Sequence, residues 1–202
     1  MPKPFQLIAG HVALDLVNTF DNRFSPAGPD ELLSSYDDLL RFASQARLLT
    51  GRQASELKGL DVPAAERAEV LRQVKELREA VAAITYAQLD GGDLPASALV
   101  TLENYFKQAN SHRHLNADRR RPAWSWRGLE SQVVAPLWLL AQATADFLLS
   151  EKAAQLRCCA SETCRWLFVD CSKNRTRRWC DMKVCGNRMK ARRFHAARLG
   201  NP

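Results

Sequence analysis

Four cysteines near the C-terminal end of this 202-residue chain, Cys159, Cys164, Cys180 and Cys185, form two C-x4-C pairs separated by fifteen residues. Thiolate sulfur suits a borderline-soft ion such as zinc, and two such pairs on tight turns supply all four corners of a tetrahedral site. A site closed in this way leaves no position for water or substrate, so its ion holds structure and drives no reaction. Cys158, beside Cys159, and Cys171, between the pairs, could each be a spare ligand or a redox-active thiol. The symmetric spacing favours the other four, and these two are read as bystanders.

Cationic residues crowd the same stretch. Residues 157–202 hold twelve Lys and Arg against three acids, Glu162, Asp170 and Asp181, whereas residues 1–156 hold seventeen against nineteen. The positive surplus therefore sits wholly in the last fifth of the chain. Lys173, Arg175, Arg177 and Arg178 cluster between the cysteine pairs. Arg188, Arg192 and His195 fall at i, i+4 and i+7 of a predicted final helix, flanked by Lys190 and Arg193. A solvated helix face is the ordinary fate of mixed charge, but like charges this dense repel unless a polyanion compensates them. Guanidinium groups grip phosphate bidentately and can read guanine edges, so a nucleic acid is the expected partner.

The elements that must position these residues follow from the same stretch. Residues 159–164 predict a metal knuckle, 166–169 a strand, 172–175 a turn, and 178–179 the return of a hairpin into the second pair. A helix is expected from Gly186 and Asn187 to about residue 199, with Asn187 as its cap. Knuckle, hairpin and helix make a treble-clef-like plan. About forty residues bury too little apolar surface to fold alone, so metal binding would supply much of the folding energy.

Residues 5–156 read as mainly helical. A first helix is expected at residues 12–20. A second would be capped by Asp30, carry Leu32, Leu33, Leu39, Leu40 and Phe42, and end near Gly51. Pro63 opens the clearest one, where Val70, Val74, Leu77, Val81 and Ile84 make one apolar stripe that Gly91 and Gly92 stop. Pro95 starts another, with Leu99, Leu102 and Phe106 on one face. The Trp124–Ser125–Trp126 alternation predicts a small hairpin turned through residues 116–122. A long apolar helix over residues 129–151, bent at Pro136, completes the set. That segment contains Gln142, Thr144 and Asp146, so it reads as a buried helix and no membrane span.

All six cysteines lie after residue 157 and no signal peptide is visible at Met1, which predicts a reduced, cytoplasmic protein. His11, Asp15 and Asn18 share one face of the first helix. They could line an effector pocket, or they could tie that helix to neighbouring loops. No phosphate-cradling glycine loop, nucleophile elbow or second metal cluster is visible, which argues against an enzyme.

The cysteine pairs, together with Leu167–Phe168–Val169–Asp170, Ser172-x-Asn174–Arg175-x-Arg177–Arg178–Trp179 and Cys185–Gly186–Asn187–Arg188, resemble the CGNR zinc finger. Gly10–His11-x-Ala13–Leu14–Asp15-x-Val17–Asn18–Thr19 is similar to the opening of the helical ABATE domain, which precedes that finger in bacterial stress-induced transcription regulators. The resemblance implies one structural zinc on the four cysteines and a DNA-binding regulatory role. Cys158 and Cys171 are additions that leave the matched positions intact. The expected architecture is mainly α, with a helical domain over residues 1–155 and a zinc finger over 156–202. The expected function is transcription regulation, with the helical domain sensing an effector of unspecified chemistry or forming a homodimer. A zinc-stabilised protein–protein adaptor or RNA binder is the alternative, and exposure of Trp166 and Trp179 discriminates it.

Overall fold

The computed structural model describes residues 3–118 and 120–191, with the side chain of Asp118 left aside. Helix α1 spans Val12–Val17, and the side chain of His11 caps it by accepting the Ala13 N–H. It ends before the expected residue 20, because Phe20–Asp21 (β1) turns to pair antiparallel with Asp30–Glu31 (β2). That pairing removes Asp30 from its expected capping role. Ser35 takes it instead, accepting the Asp38 N–H of α2 (Tyr36–Gln45), with Asp37 and Asp38 in the first turn favouring the helix dipole. Leu33 is buried ahead of the helix, and Leu32 is exposed. Thr50 and Gln53 form a reciprocal capping box that starts α3 (Gly51–Lys58), where the sequence had suggested an ending.

Helix α4 (Ala64–Asp90) buries Val70, Val74, Leu77, Val81 and Ile84 as expected. It stops at Gly91, whose φ of +68° supplies the left-handed cap that a side chain would disfavour. Helix α5 (Ala96–Ser111) is rotated from expectation. It buries Ala98, Leu102 and Ala109, leaves Phe106 half-buried and exposes Leu99, because α4 and α6 close on its small residues. Strands β3 (Arg113–Asp118) and β4 (Arg121–Trp126) pair along their whole length, so the turn is tighter than residues 116–122. Helix α6 (Ala135–Leu148) is shorter than predicted. Pro136 lies in its first turn, where a missing N–H costs nothing, and so starts the helix and does not bend it. Buried nearly all round through Leu137, Trp138, Leu140, Thr144 and Phe147, α6 is the central helix, and α1, α2, α4 and α5 pack against it. No helix among the described residues is long and apolar enough to cross a membrane.

A 3-10 turn (Glu151–Gln155) leads into β5 (Leu156–Cys158), which pairs antiparallel with β6 (Leu167–Val169). This corrects the predicted hairpin: the partner of β6 precedes the first cysteine pair, and the 172–175 turn leads into a non-strand segment. Leu167, Phe168 and Val169 are fully or almost fully buried in the same core as α1 and α6. The cysteine module is thus built into the helical body and does not hang from it.

Candidate metal centre

The first cysteine pair is held by backbone hydrogen bonds that need no metal. The Cys159 N–H donates to the Trp166 carbonyl at 2.8 Å, closing the loop between β5 and β6. Inside it, the Cys164 and Arg165 N–H groups both donate to the Ser161 carbonyl, and Arg165 takes φ +48° to bring the chain round. The second pair sits on one wide turn. Met182–Gly186 is a π-helical turn whose cap is Asp181, its carboxylate accepting the Lys183 N–H at 2.6 Å and the Val184 N–H at 3.1 Å. The helix continues through residues 187–191, so its cap is Asp181 and not the expected Asn187. A carboxylate is the better acceptor for unpaired amides at a helix start. The Ala160 N–H donates to the Arg178 carbonyl at 2.8 Å and binds the two pairs to each other.

All four sulfurs, from Cys159, Cys164, Cys180 and Cys185, are buried and lie within 4.8 Å of one another. Cys164 and Cys180 are 3.7 Å apart, and Cys180 and Cys185 are 3.6 Å apart. Zinc–sulfur bonds of about 2.3 Å in a tetrahedron require sulfur–sulfur edges of about 3.8 Å, whereas a disulfide requires about 2.05 Å. The residues therefore fit a four-thiolate zinc ion and not a pair of bridges. Without a cation, four such sulfurs cannot all ionise. Thiol donors from Cys164 and Cys180 pull Cys159 well below the usual thiol range. Hydrogen bonding with Cys159 pushes Cys164 and Cys180 up, and burial pushes up Cys185. A divalent ion removes that conflict by stabilising all four thiolates. Cys158, whose thiol donates to the Arg165 carbonyl, and Cys171, which is exposed, stand outside the cluster.

The cations around the centre divide into two kinds. Lys173, Arg175 and Arg178 are exposed on the segment between the pairs, and Arg188 and Lys190 on the helical turns after Cys185. Lys183, inside the second pair, is exposed too, and its place in that spacing was the signal for it. Among the described residues, no carboxylate pairs with any of these six. Arg177 differs. It donates to the Trp179 and Cys180 carbonyls and lies over the Phe168 ring at 4.4 Å, so its guanidinium is committed to the module. Arg192, Arg193 and His195 lie outside the described residues. Asp170 is a residue the spacing alone did not single out. Its buried carboxylate accepts from the Ser172 hydroxyl (2.6 Å), the Ser172 N–H and the Arg177 N–H, and these bonds hold it below the usual carboxylate range. The Asp-x-Ser pattern of an Asx turn was its signal.

The polar stripe of α1 is engaged with its neighbours in the fold. Asn18 reads both backbone groups of Leu167, donating to its carbonyl at 3.0 Å and accepting its N–H at 2.9 Å. Asp15 accepts the Ala9 N–H at 2.9 Å, and the Val169 N–H donates to the Ala9 carbonyl at 2.7 Å. His11 stacks on Phe147 at 4.8 Å. Asp15 and Asn18 join α1 to the segment before it and to β6, and His11 joins it to α6. The cleft at the junction has other walls, among them Phe5, Asp21, Glu31, Arg41 and Trp166. Trp166 is only 8% exposed and donates its indole N–H to Asp21 at 2.7 Å, which removes it as a stacking platform for unpaired bases.

Two family models match the chain. Residues 155–198 match the CGNR zinc finger, which with the four clustered sulfurs gives the protein one structural zinc ion. No curated protein is similar enough to the chain to count as a match. Residues 10–151, more than half of the chain, match the ABATE model, described as "Putative stress-induced transcription regulator". The chain belongs to the ABATE family and carries a CGNR zinc finger after that domain.

Proposed function

We propose that this protein is a cytoplasmic DNA-binding transcription regulator whose zinc module, residues 156–202, contacts the sugar–phosphate backbone. Lys173, Arg175, Arg178, Arg188 and Lys190 make those contacts, joined by Lys183. The helical body, residues 1–155, carries the regulatory input. One observation carries the reading: these exposed cations surround a zinc-clamped frame with no carboxylate partner among the described residues. Side chains of that kind release counterions when they meet phosphate, which gives salt-dependent affinity. The family match to transcription regulators supports the same partner. A chain with one small module gains half-site recognition by pairing with a second copy, so a homodimer is part of the reading. The zinc does no chemistry here; it holds two turns at a fixed distance so that the arginines between and after them keep their spacing.

Anisotropy of a labelled duplex of about 30 base pairs, titrated at several salt concentrations, tests this. Arg178→Gln with Arg188→Gln should lower the slope of log affinity against log salt by about 1.8 while zinc content stays at one per chain. Chelation should abolish binding. Affinity that survives both treatments would refute the assignment.

A further inference from the structure

The helical body carries a cationic element of its own. Residues 112–127 contain five arginines, Arg113, Arg119, Arg120, Arg121 and Arg127, against the single acid Asp118. Without this segment, residues 1–156 hold twelve cations against eighteen acids, so the ribbon is a basic island on an acidic body. Its shape is equally distinct. β3 and β4 pair from Arg113 opposite Trp126 at the base to Asp118 opposite Arg121 at the tip, a ribbon about 20 Å long.

The base is anchored and the outer half is bare. The Arg113 guanidinium donates to the Gln142 side chain of α6 at 2.6 Å and lies over both Trp124 (4.5 Å) and Trp126 (5.7 Å). His112 stacks on Trp138 with ring centres 3.7 Å apart. Further out, Leu115 and Trp124 face each other across the ladder at 64% and 59% exposure, and Arg120, Arg121 and Pro122 are exposed at and beside the turn. Among the described residues, no carboxylate pairs with Arg120, Arg121 or Arg127. An apolar cross-strand pair held in water, rimmed by exposed arginines, marks a binding surface. Pro122 removes a donor from β4 and so disfavours docking of a further strand.

We propose that the β3–β4 ribbon is a second DNA-contacting arm, which enters a groove of the duplex. Arg120 and Arg121 meet phosphates, and Leu115 and Trp124 pack on sugars and base edges. Charge complementarity selects the occupant, and a two-stranded ribbon has the width the major groove admits. The proposal rests on the reading of the zinc module as DNA-binding. It adds a second point of attachment on the same chain, which raises affinity without strengthening either contact.

The test compares three full-length zinc-loaded proteins on the same labelled duplex: wild type, the Arg178→Gln with Arg188→Gln variant, and Arg120→Asn with Arg121→Gln. Asn is chosen at 120 because Arg120 holds φ +75°, which Asn tolerates. The ribbon variant should lower the salt slope by about 1.8 and the affinity at low salt by roughly tenfold, with zinc content, circular dichroism and melting midpoint unchanged. Trp124→Ala should weaken binding by roughly tenfold and leave the salt slope as it was. If both ribbon variants bind like wild type while the module variant is impaired, the arm is refuted and the module reading stands. A ribbon variant that only halves the molar mass in light scattering assigns the surface to a second copy and refutes the arm. Wild-type protein that binds no duplex refutes both.

Discussion

Along α4 of the helical body, arginines are spent close to where they stand. Arg78, 3% exposed, sends two parallel hydrogen bonds to Glu31 at 2.8 and 2.9 Å, and Arg72 bridges Glu69 and Glu76 along α4. In the zinc module, Arg175, Arg178 and Arg188 stand exposed with no acid beside them among the described residues. The module's two best-placed acids, Asp170 and Asp181, are turned inward onto backbone amides. The same side chain thus welds one region and is held outward by the other. Stability of the body comes from apolar burial and paired charge. Stability of the module comes from four sulfurs and a buried strand, which frees its cations for a partner.

Metal removal should produce the largest effect. Cys164→Ser or chelation is expected to lower the melting midpoint of the whole chain by on the order of 10 °C or more, because β6 belongs to the common core. Calorimetry that shows an unaltered main transition would mean that the body folds without the module. Glu31→Ala comes next. It removes the bidentate partner of the buried Arg78 guanidinium, which keeps only Glu79 and Thr19, and should cost about 3 kcal/mol in urea unfolding. DNA affinity should change little, since Glu31 belongs to the body's own pairing.

Asn18→Ala cuts the seam between the two regions. Both backbone groups of Leu167 lose their buried partner, for a loss of about 2 kcal/mol. Hydrogen exchange should then speed up first at residues 167–169; uniform acceleration through α4 would place the seam elsewhere. The last effect depends on pH and vanishes at its acid end. Burial pushes the Asp15 carboxyl up to about 6, partly opposed by hydrogen bonds from the Ala9 and Ile8 backbone. Its folded value lies above the unfolded one of about 3.9, so stability from this group is full below pH 4 and is lost as pH rises through 6. Asp15→Asn should therefore gain on wild type between pH 4 and pH 7, by up to about 3 kcal/mol at the end of that range. Parallel unfolding curves for the two proteins across it would contradict this.

Legibility differed by element. The α4 stripe and its glycine stop could be read because the periodicity is long and its end requires a positive φ. The four sulfurs could be read because ligand type and spacing carry the chemistry within a few residues. The caps of α2 and of the last described helix were missed for one reason: Asp30 and Asn187 are good caps by type, but Ser35 and Asp181 face the free amides once the chain is folded. Leu99 was placed inside because its spacing matches Leu102 and Phe106; a rotation toward Ala98 and Ala109 let α5 pack closely instead.

Composition and spacing alone determined that a cysteine-held module with surplus positive charge follows a helical body. Those properties reside in residue types and short separations, which folding leaves unchanged. Only the tertiary structure decided that β6 pairs with β5, that Asn18 binds the backbone of a residue 149 positions away, and that Arg177 is committed while Arg175 and Arg178 have no carboxylate partner among the described residues. Contacts between distant segments depend on which surfaces meet when the core closes, and no local pattern encodes that meeting.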